Sequence, residues 1–402
     1  MSTSPPPEQP VAPEASRERW RQVRDHLNRS RFELTRSAAA GHAPREFAPG
    51  GRLLARRHWI PAAPVPLDRV RLRWQEPAPA APIDGRRPEL DAVLPRRADG
   101  TPYETYADAV GGLARPRLFE NRGCYRLLEV AEDAAVPTLT FGRGRYFDVI
   151  DTCEAAAHEY AAAALSAPGG PGPEAGATPF RDVVGDPTDL ARRPVLAAVS
   201  TLAVRHDRRT GTAEFVLHWR DPAKVASGGG LFQVMPAGMF QASHDAPWNE
   251  ANDFDLWRSV VRELSEELLG GGEDYGSGTT PIDYDAWPFQ RTLASARSAG
   301  TLRMYWLGLG VDPLTFVTDL LTVAVFDAEL FDEVFARMVA DNDEGHRVRL
   351  DDGTGHATGI PFTAEQVERL ADREPMQPAG AALLQLAWHH RGVLLNRRSE
   401  QR

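Results

Sequence analysis

Three glutamates in the second half of the chain are spaced so that they could act together. Glu263, Glu266 and Glu267 lie three and four positions apart, so a helix would project them from one face. Apolar residues recur at helical spacing through the same stretch, at Trp257, Val260, Val261, Leu264 and Leu268. This pattern predicts a helix over about 254–269 that ends at Gly270–Gly272 and has one buried stripe and one acidic face.

A group of carboxylates on one helical face suits a divalent cation. Clustered carboxylates repel one another, and Mg²⁺ or Mn²⁺ would offset this repulsion because these hard ions prefer oxygen ligands. Arg262, four residues before Glu266, is a basic residue close to them. The same spacing also fits an acidic helix face in solvent, and it does not decide between the two interpretations.

The order of the residues adds a family resemblance. The run Arg262-Glu263-Leu264-Ser265-Glu266-Glu267-Leu268-Leu269-Gly270 resembles the core of the Nudix box. The preceding LFQVMPAGMF, with its turn Pro236-Ala237-Gly238, is similar to the strand and turn that lead into that box. The resemblance covers roughly residues 195–395.

The resemblance implies a role for each residue of the motif. Glu266 and Glu267 would bind the metal, and Glu263 would be a further ligand or the base that activates water. Arg262 would hold the glutamates in place through a salt bridge. Gly238 is a candidate substrate-binding residue in the turn.

The chain also departs from the family pattern. Gly238 lies 24 residues before Arg262, which is ten more than in the family. The insert predicts a mobile loop over 241–252, in which Trp248 is a candidate to stack on a base. The family's upstream glutamate falls on Phe254, and the acids that could replace it are Glu250, Asp253 and Asp255. The candidates for an additional downstream carboxylate are Glu273, Asp274, Asp319 and Asp327.

Two classes of function follow from these observations. The first is a metal-dependent hydrolase that cleaves the diphosphate bridge of a nucleoside diphosphate linked to another group. The second is a non-catalytic Nudix-fold sensor that binds a nucleotide or metabolite and acts as a regulator. The three intact glutamates favour the enzyme, whereas the insert and the displaced upstream acid favour the sensor.

The whole chain also resembles a group of actinobacterial proteins commonly labelled transcriptional regulators. Stretches such as RPRLFENRGCYRLLEV, FGRGRYFD and NDFDLWRSVVRELSEELLG carry this resemblance. It supports an architecture of two modules and adds weak support for regulation, because the helix-turn-helix of those relatives is not recognisable in this chain.

The length of 402 residues predicts two to three domains. The fold class expected is α/β (α+β), with a C-terminal Nudix-like mixed sheet sandwiched by helices and preceded by a smaller mixed α/β module. The divisions expected along the chain are a disordered tail over 1–15, a basic helical arm over 16–60, the N-terminal mixed module over 61–165, a linker over 166–190 and the Nudix-like domain over 191–396.

The arm over 16–60 holds eleven arginines and four acidic residues. A helix is predicted from Arg17 to about Ala40, with Ser16 as N-cap. Its apolar residues fall on one side, at Trp20, Val23, Leu27 and Leu34. The segment is either an arm for nucleic acid or another anionic partner, or a solvated helix face. A second arginine-rich feature, Gly142-Arg143-Gly144-Arg145, could hold an anion or form a plain turn.

Composition excludes several classes of protein. The net charge of −10 argues against a protein whose whole surface binds nucleic acid. We therefore do not expect nucleic acid as a partner, although the basic arm over 16–60 leaves that interaction open. Two cysteines are too few for a disulfide framework or a cysteine zinc site. Without a signal peptide or a long apolar run, a soluble cytoplasmic protein with a nucleotide-like small-molecule ligand is expected. The sequence sets neither the substrate nor the oligomeric state.

Overall fold

The computed structural model describes residues 12–117, 119–132, 136–166, 172–220, 229–272, 275–336, 345–348 and 359–395. Its helices are α1 (Pro13–Ala40), α2 (Tyr106–Leu113), α3 (Tyr146–Val149), α4 (Ala155–Ser166), α5 (Pro179–Val184), α6 (Pro247–Asn252), α7 (Leu256–Leu269), α8 (Pro288–Ala299), α9 (Ala328–Val334), α10 (Ala364–Asp372), α11 (Pro378–His389) and α12 (Arg391–Leu395). Its strands are β1 (Val65–Pro66), β2 (Arg71–Trp74), β3 (Gly123–Val130), β4 (Thr138–Arg145), β5 (Ala197–Asp207), β6 (Thr212–Phe215), β7 (Leu217–Arg220), β8 (Phe232–Val234), β9 (Ala237–Met239), β10 (Leu302–Val311), β11 (Thr318–Asp327), β12 (Gly345–Val348) and β13 (Ile360–Pro361).

A mixed sheet of seven strands forms the centre of the fold. Its order is β1-β10-β11-β5-β6-β13, and β9 also pairs with β5. β5 and β11 run parallel, with Ala197 beside Thr318 and His206 beside Asp327, whereas the other pairs are antiparallel. The start of β5 therefore lies between β9 and β11, and the site described below is built there.

Two smaller sheets of three strands accompany the central sheet. One has the order β2-β4-β3, with β2 parallel to β4, and the other has the order β12-β7-β8. The expected mixed α/β fold, with a large mixed sheet and a smaller one, is confirmed at this level.

Helices cover both faces of the central sheet. Successive side chains of a strand point to opposite faces, and apolar residues on both faces of β5 are packed against helices. On β5, Val199 and Ala203 belong to the core that also holds the apolar stripe of α7. Leu202 and Val204 belong to the opposite core, which holds α11. α7 and α11 therefore pack on opposite faces of the sheet.

The hydrophobic core runs across the proposed boundary between the two modules. Trp20, Tyr106 and Phe141 from the N-terminal half share one cluster with Val199 and Leu264. The segment expected to be a linker contains α5, whose Phe180 and Val184 are fully buried. Part of 166–190 is thus packed structure, since two large apolar side chains outweigh its loop-like composition. The division into domains stays a prediction.

The N-terminal helix begins earlier than expected. α1 starts at Pro13, whose fixed φ suits the first helical position, so the tail expected to be disordered over 1–15 is helical at its end. Residues 1–11 lie outside the described residues. Ser16 is not the N-cap; its hydroxyl accepts a hydrogen bond from the Arg96 backbone N–H (3.1 Å). The apolar side of the helix is buried as predicted, and Arg24 and Arg31 are buried with it.

In the part of the chain that the structure describes, no helix is long and apolar enough to cross a membrane. The longest of these helices, α1 with 28 residues, carries charged side chains through its length.

Packing of the segment expected to be a linker is tested by Phe180→Ala. Removal of this fully buried ring is expected to lower the free energy of unfolding by about 3–5 kcal/mol, measured by urea denaturation. Leu165→Ala, at a side chain that is 43% exposed, is the control and should cost less than about 1 kcal/mol. Equal small losses in both variants would mean that α5 does not contribute to the core.

Candidate functional site

The helix that carries the glutamates is set by clear local signals. The Asp255 carboxylate caps the start of α7 by accepting from the Arg258 backbone N–H (2.9 Å), and Gly270 ends the helix in the left-handed conformation with φ 69°. Val260, Val261, Leu264 and Leu268 are fully buried against the sheet. The predicted helix and its buried stripe are therefore confirmed, with the start two residues later than expected.

The turn before the helix touches two of the glutamates. The backbone N–H of Ala237 donates to Glu267 Oε1 (2.8 Å). At Gly238, a Cβ atom would lie 2.1 Å from Glu263 Oε1, so the carboxylate occupies the space that any other side chain would take. Glycine at this position is what allows Glu263 to lie against β9.

Arg262 has different partners from those expected. Its guanidinium is 4% exposed and forms a salt bridge with Asp253 (3.7 Å), rather than with the glutamates. It also donates to the Tyr284 hydroxyl (2.6 Å) and to the Gln241 carbonyl (2.7 Å). Burial disfavours the charged guanidinium, but Tyr284 and Asp253 together raise the pKa of Arg262 above its ordinary value. The ion-pair partner of Arg262 is therefore Asp253 and not one of the glutamates, although the charge of Glu263 also helps to raise the pKa of Arg262.

Asp253 is thus the one of the three candidate upstream acids that pairs with Arg262. It is fully buried, and besides Arg262 it accepts from the Tyr284 hydroxyl (2.8 Å) and from both the backbone N–H and the hydroxyl of Ser243. These bonds join the insert to α7.

The insert over 241–252 is ordered, which corrects the expectation of a mobile loop. It contains α6, begun by Pro247, and its buried Asn249 donates to the Ser277 carbonyl (2.9 Å). Trp248 donates its indole N–H to the same carbonyl (3.0 Å) and is not among the described residues that line the cavity below. The predicted role of Trp248 in stacking on a base is therefore not supported, since its polar edge is used to fix the insert.

Acids of the insert also bind the arginine-rich turn of β4. Asp245 pairs with Arg145 (2.9 Å), and Glu250 pairs with Arg143 (2.8 Å). The anions that Gly142-Arg143-Gly144-Arg145 could hold are here carboxylates of the protein itself. Each of these exposed salt bridges contributes little to the free energy of unfolding, but together they fix the position of the insert against the N-terminal half.

All three glutamates line one cavity of about 810 Å³, which is in the range of small-molecule sites. Glu267 is 6% exposed and Glu263 and Glu266 are half-buried, so the alternative of a solvated acidic face is wrong. Glu266 accepts from the Tyr275 hydroxyl (2.7 Å). Gly238 lines the same cavity.

Of the described candidates for a downstream carboxylate, Asp319 lines this cavity and Asp327 does not. Asp319 accepts a hydrogen bond from Ser200 (2.8 Å), a neighbour on β5, and its burial raises its pKa to about 7. Asp327 lies at the other end of β11, where it pairs with Arg208 (2.7 Å). The remaining two candidates, Glu273 and Asp274, lie outside the described residues.

Arginines that the sequence analysis did not select line the cavity with these acids. They are Arg31, Arg117, Arg122 and Arg220. For Arg31 a signal was available, because it lies four residues after Leu27 and three before Leu34, on the apolar side of α1. The others come from loop and strand ends, where the sequence carries no comparable periodicity.

The fit of a metal ion is partial. The carboxylate oxygens are of the type that Mg²⁺ or Mn²⁺ prefers. Among the described residues, however, no three Asp, Glu, His or Cys side chains lie close enough together to hold one ion. Glu266 and Glu267 bond to Tyr275 and to Ala237, and Asp319 extends from the sheet face that α11 covers.

Comparison of the chain with models of known protein families gave no match, and neither did a search of curated protein sequences. The resemblance to the Nudix box thus rests on the sequence motif and on the turn that precedes it.

The contact between Gly238 and Glu263 can be tested by a double-mutant cycle. Gly238→Ala is expected to lower the free energy of unfolding by about 1 kcal/mol, because the new methyl group displaces the flexible Glu263 carboxylate. In a Glu263→Ala background the same change should cost nearly nothing, as measured by urea denaturation. Gly392→Ala, where a Cβ meets nothing within 4 Å, is the control. Additive effects of the two substitutions would show that the carboxylate does not occupy this space.

The raised pKa of Asp319 predicts a pH dependence of stability. Between its ordinary pKa of 3.8 and about 7, the folded protein binds a proton that the unfolded chain releases, so stability falls as the pH rises through this window. Asp319→Asn stays neutral and keeps the acceptor for Ser200. Its stability relative to wild type should therefore increase from pH 4 to pH 8 in thermal melts. The exposed Asp25→Asn is the control, and a parallel pH profile for wild type and Asp319→Asn would contradict the assignment.

Proposed function

We propose that the cavity binds a nucleotide-like ligand and, with Mg²⁺ or Mn²⁺, hydrolyses a diphosphate bridge that links a nucleoside to another group. The observation that carries this proposal is the convergence of Glu263, Glu266 and Glu267 on one cavity that arginines also line. The seven-stranded sheet with α7 and the turn at Gly238 would then be a Nudix-like domain.

The residues of the motif would have three different roles, which are metal binding, proton acceptance and positioning. Glu263, Glu266 and Glu267 would hold the metal together with the ligand, because these side chains do not by themselves form an ion site. The metal when bound would stabilise charge on the phosphate oxygens. Glu263, the carboxylate that lies against Gly238, is also the candidate to accept a proton from the attacking water. Arg262 would act as a positioning residue, because its bonds to Asp253 and Tyr284 fix α7.

A sensor remains the second candidate, and one specific observation favours it. The described acidic side chains do not form a ready ion site, since Glu266 and Glu267 are hydrogen-bonded to Tyr275 and to the backbone of Ala237. A protein that only binds its ligand could use these carboxylates as acceptors for ligand hydroxyl or amino groups.

Glu267→Gln separates the two functions. The substitution keeps an acceptor for the Ala237 N–H and removes the charge, so the melting temperature should change little. Metal-dependent release of a nucleoside monophosphate should fall by about a hundredfold or more. The assay is a panel of dinucleotide polyphosphates, nucleotide sugars and nucleoside triphosphates with each metal.

The control is Glu368→Gln, an exposed glutamate of α10, which should hydrolyse as wild type does. No turnover by the wild type, together with binding of one nucleotide, would support the sensor. Turnover that survives Glu267→Gln would mean that the glutamates are not the reactive group.

A further inference from the structure

The N-terminal segment, by which we mean the arm and the mixed module over 16–165, contributes to the cavity. The glutamate motif of α7 lies far from this segment in sequence. Arg31 comes from α1, and Arg117 and Arg122 come from the connection between α2 and β3. The segment therefore reaches the same space as the glutamates of α7. The arm over 16–60, which contains Arg31, was interpreted above as an arm for an anionic partner or as a solvated helix face. Arg31 is 3% exposed, so the solvated face is wrong for this residue.

Arg31 is a fixed cation at this cavity. Its two terminal nitrogens each donate to one oxygen of Glu154 (both 3.1 Å), in the two-point geometry that suits a guanidinium. Arg31 is 3% exposed and Glu154 is fully buried. Arg24 also lies against this carboxylate (3.8 Å), so two buried guanidinium groups surround one buried acid. This arrangement places positive charge beside the cavity in a region of low dielectric, where its field is strong.

A second acid that interacts with this charge is Asp312, which also lines the cavity. Burial raises the pKa of Asp312, although Arg31 and the backbone N–H groups of Leu314 and Thr315 oppose this rise. The Asp312 carboxylate is thus held by its own turn.

Arg117 and Arg122 are more accessible than Arg31. Arg117 is exposed, and Arg122 is partly buried and donates to the Ser243 carbonyl of the insert. The insert therefore fixes one of the cavity arginines as well as Arg262. Guanidinium groups bind phosphate oxygens through paired hydrogen bonds, so two accessible arginines in the cavity that the fixed Arg31 also lines suit a phosphate.

We propose that Arg117 and Arg122, in the field of Arg31, bind a phosphate group of the ligand, separately from the glutamates of α7. This inference rests on the proposed function only in taking the cavity as a nucleotide-type site. It makes the N-terminal segment the part of the chain that selects the ligand, and it predicts a ligand with a phosphate that needs no metal to bind.

Metal-free binding tests this inference. Inorganic pyrophosphate and ADP are titrated calorimetrically, in EDTA, into wild type, Arg117→Gln and Arg122→Gln. Wild type should bind at least one of the two probes, and each substitution should weaken that binding by about tenfold, the effect of losing one charge-assisted contact. Arg86→Gln, at an exposed arginine of the same segment paired with Glu104, is the control and should bind as wild type does.

Arg31→Lys provides a second measurement, because it keeps the charge and loses the two-point contact with Glu154. Its melting temperature is recorded alongside, and metal-free binding close to that of wild type in a variant that is still folded supports the proposal, because Arg31 acts through its charge. Failure of wild type to bind either probe, or equal binding by wild type and both glutamine variants, would overturn it. Glu267→Gln distinguishes the two proposals: loss of hydrolysis there with unchanged metal-free binding supports both. Binding that depends on the arginines in a wild type without hydrolysis refutes only the hydrolase.

Discussion

The buried salt bridge between Arg262 and Asp253 is the interaction on which the candidate site depends. A buried guanidinium without a partner in this position would lower the free energy of unfolding by about 3–5 kcal/mol. Arrangements that separate Arg262 from Asp253 are therefore disfavoured. The bond ties α7 to the insert, and the Tyr284 hydroxyl closes the network between the two charges. With this side of α7 fixed and its apolar stripe on the sheet, the three glutamates are left facing the cavity.

Pairing of arginines with carboxylates also determines how the N-terminal half is arranged. The buried carboxylate of Glu154, one of those in this half, orients Arg31 and Arg24, while the exposed arginines of β4 bind acids of the insert. The insert is thus the element through which the two halves are registered. The cavity between them combines acidic groups from α7 with basic groups from the N-terminal segment, a combination that suits a ligand carrying phosphates and a divalent cation.

Sequence periodicity was sufficient to predict the features that depend on residues close together in the chain. The span of α7, its buried stripe, the shared face of the glutamates and the buried side of α1 all follow from spacing in the chain. What it could not supply were partners distant in sequence. Spacing places Glu266 within reach of Arg262, whereas Asp253 lies nine residues before it and outside α7. Only the packed insert brings Asp253 to the guanidinium. Polar composition suggested a mobile insert, but the hydrogen bonds of Asn249 and Trp248 to residue 277 order it. Asp319 became distinct from the other acids only when β11 paired with β5.

Binding of Mn²⁺ is the most direct test of the claim that the glutamates form a metal-dependent hydrolytic site. Electron paramagnetic resonance of free Mn²⁺ reports how much of the ion the protein withdraws from solution, with ADP present or absent. We expect wild type to take up about one ion per chain, at least when ADP is bound, and Glu266→Gln to weaken this uptake by about tenfold or more. A free-ion signal equal to the total added Mn²⁺ under both conditions, or equal uptake by wild type and Glu266→Gln, would contradict it.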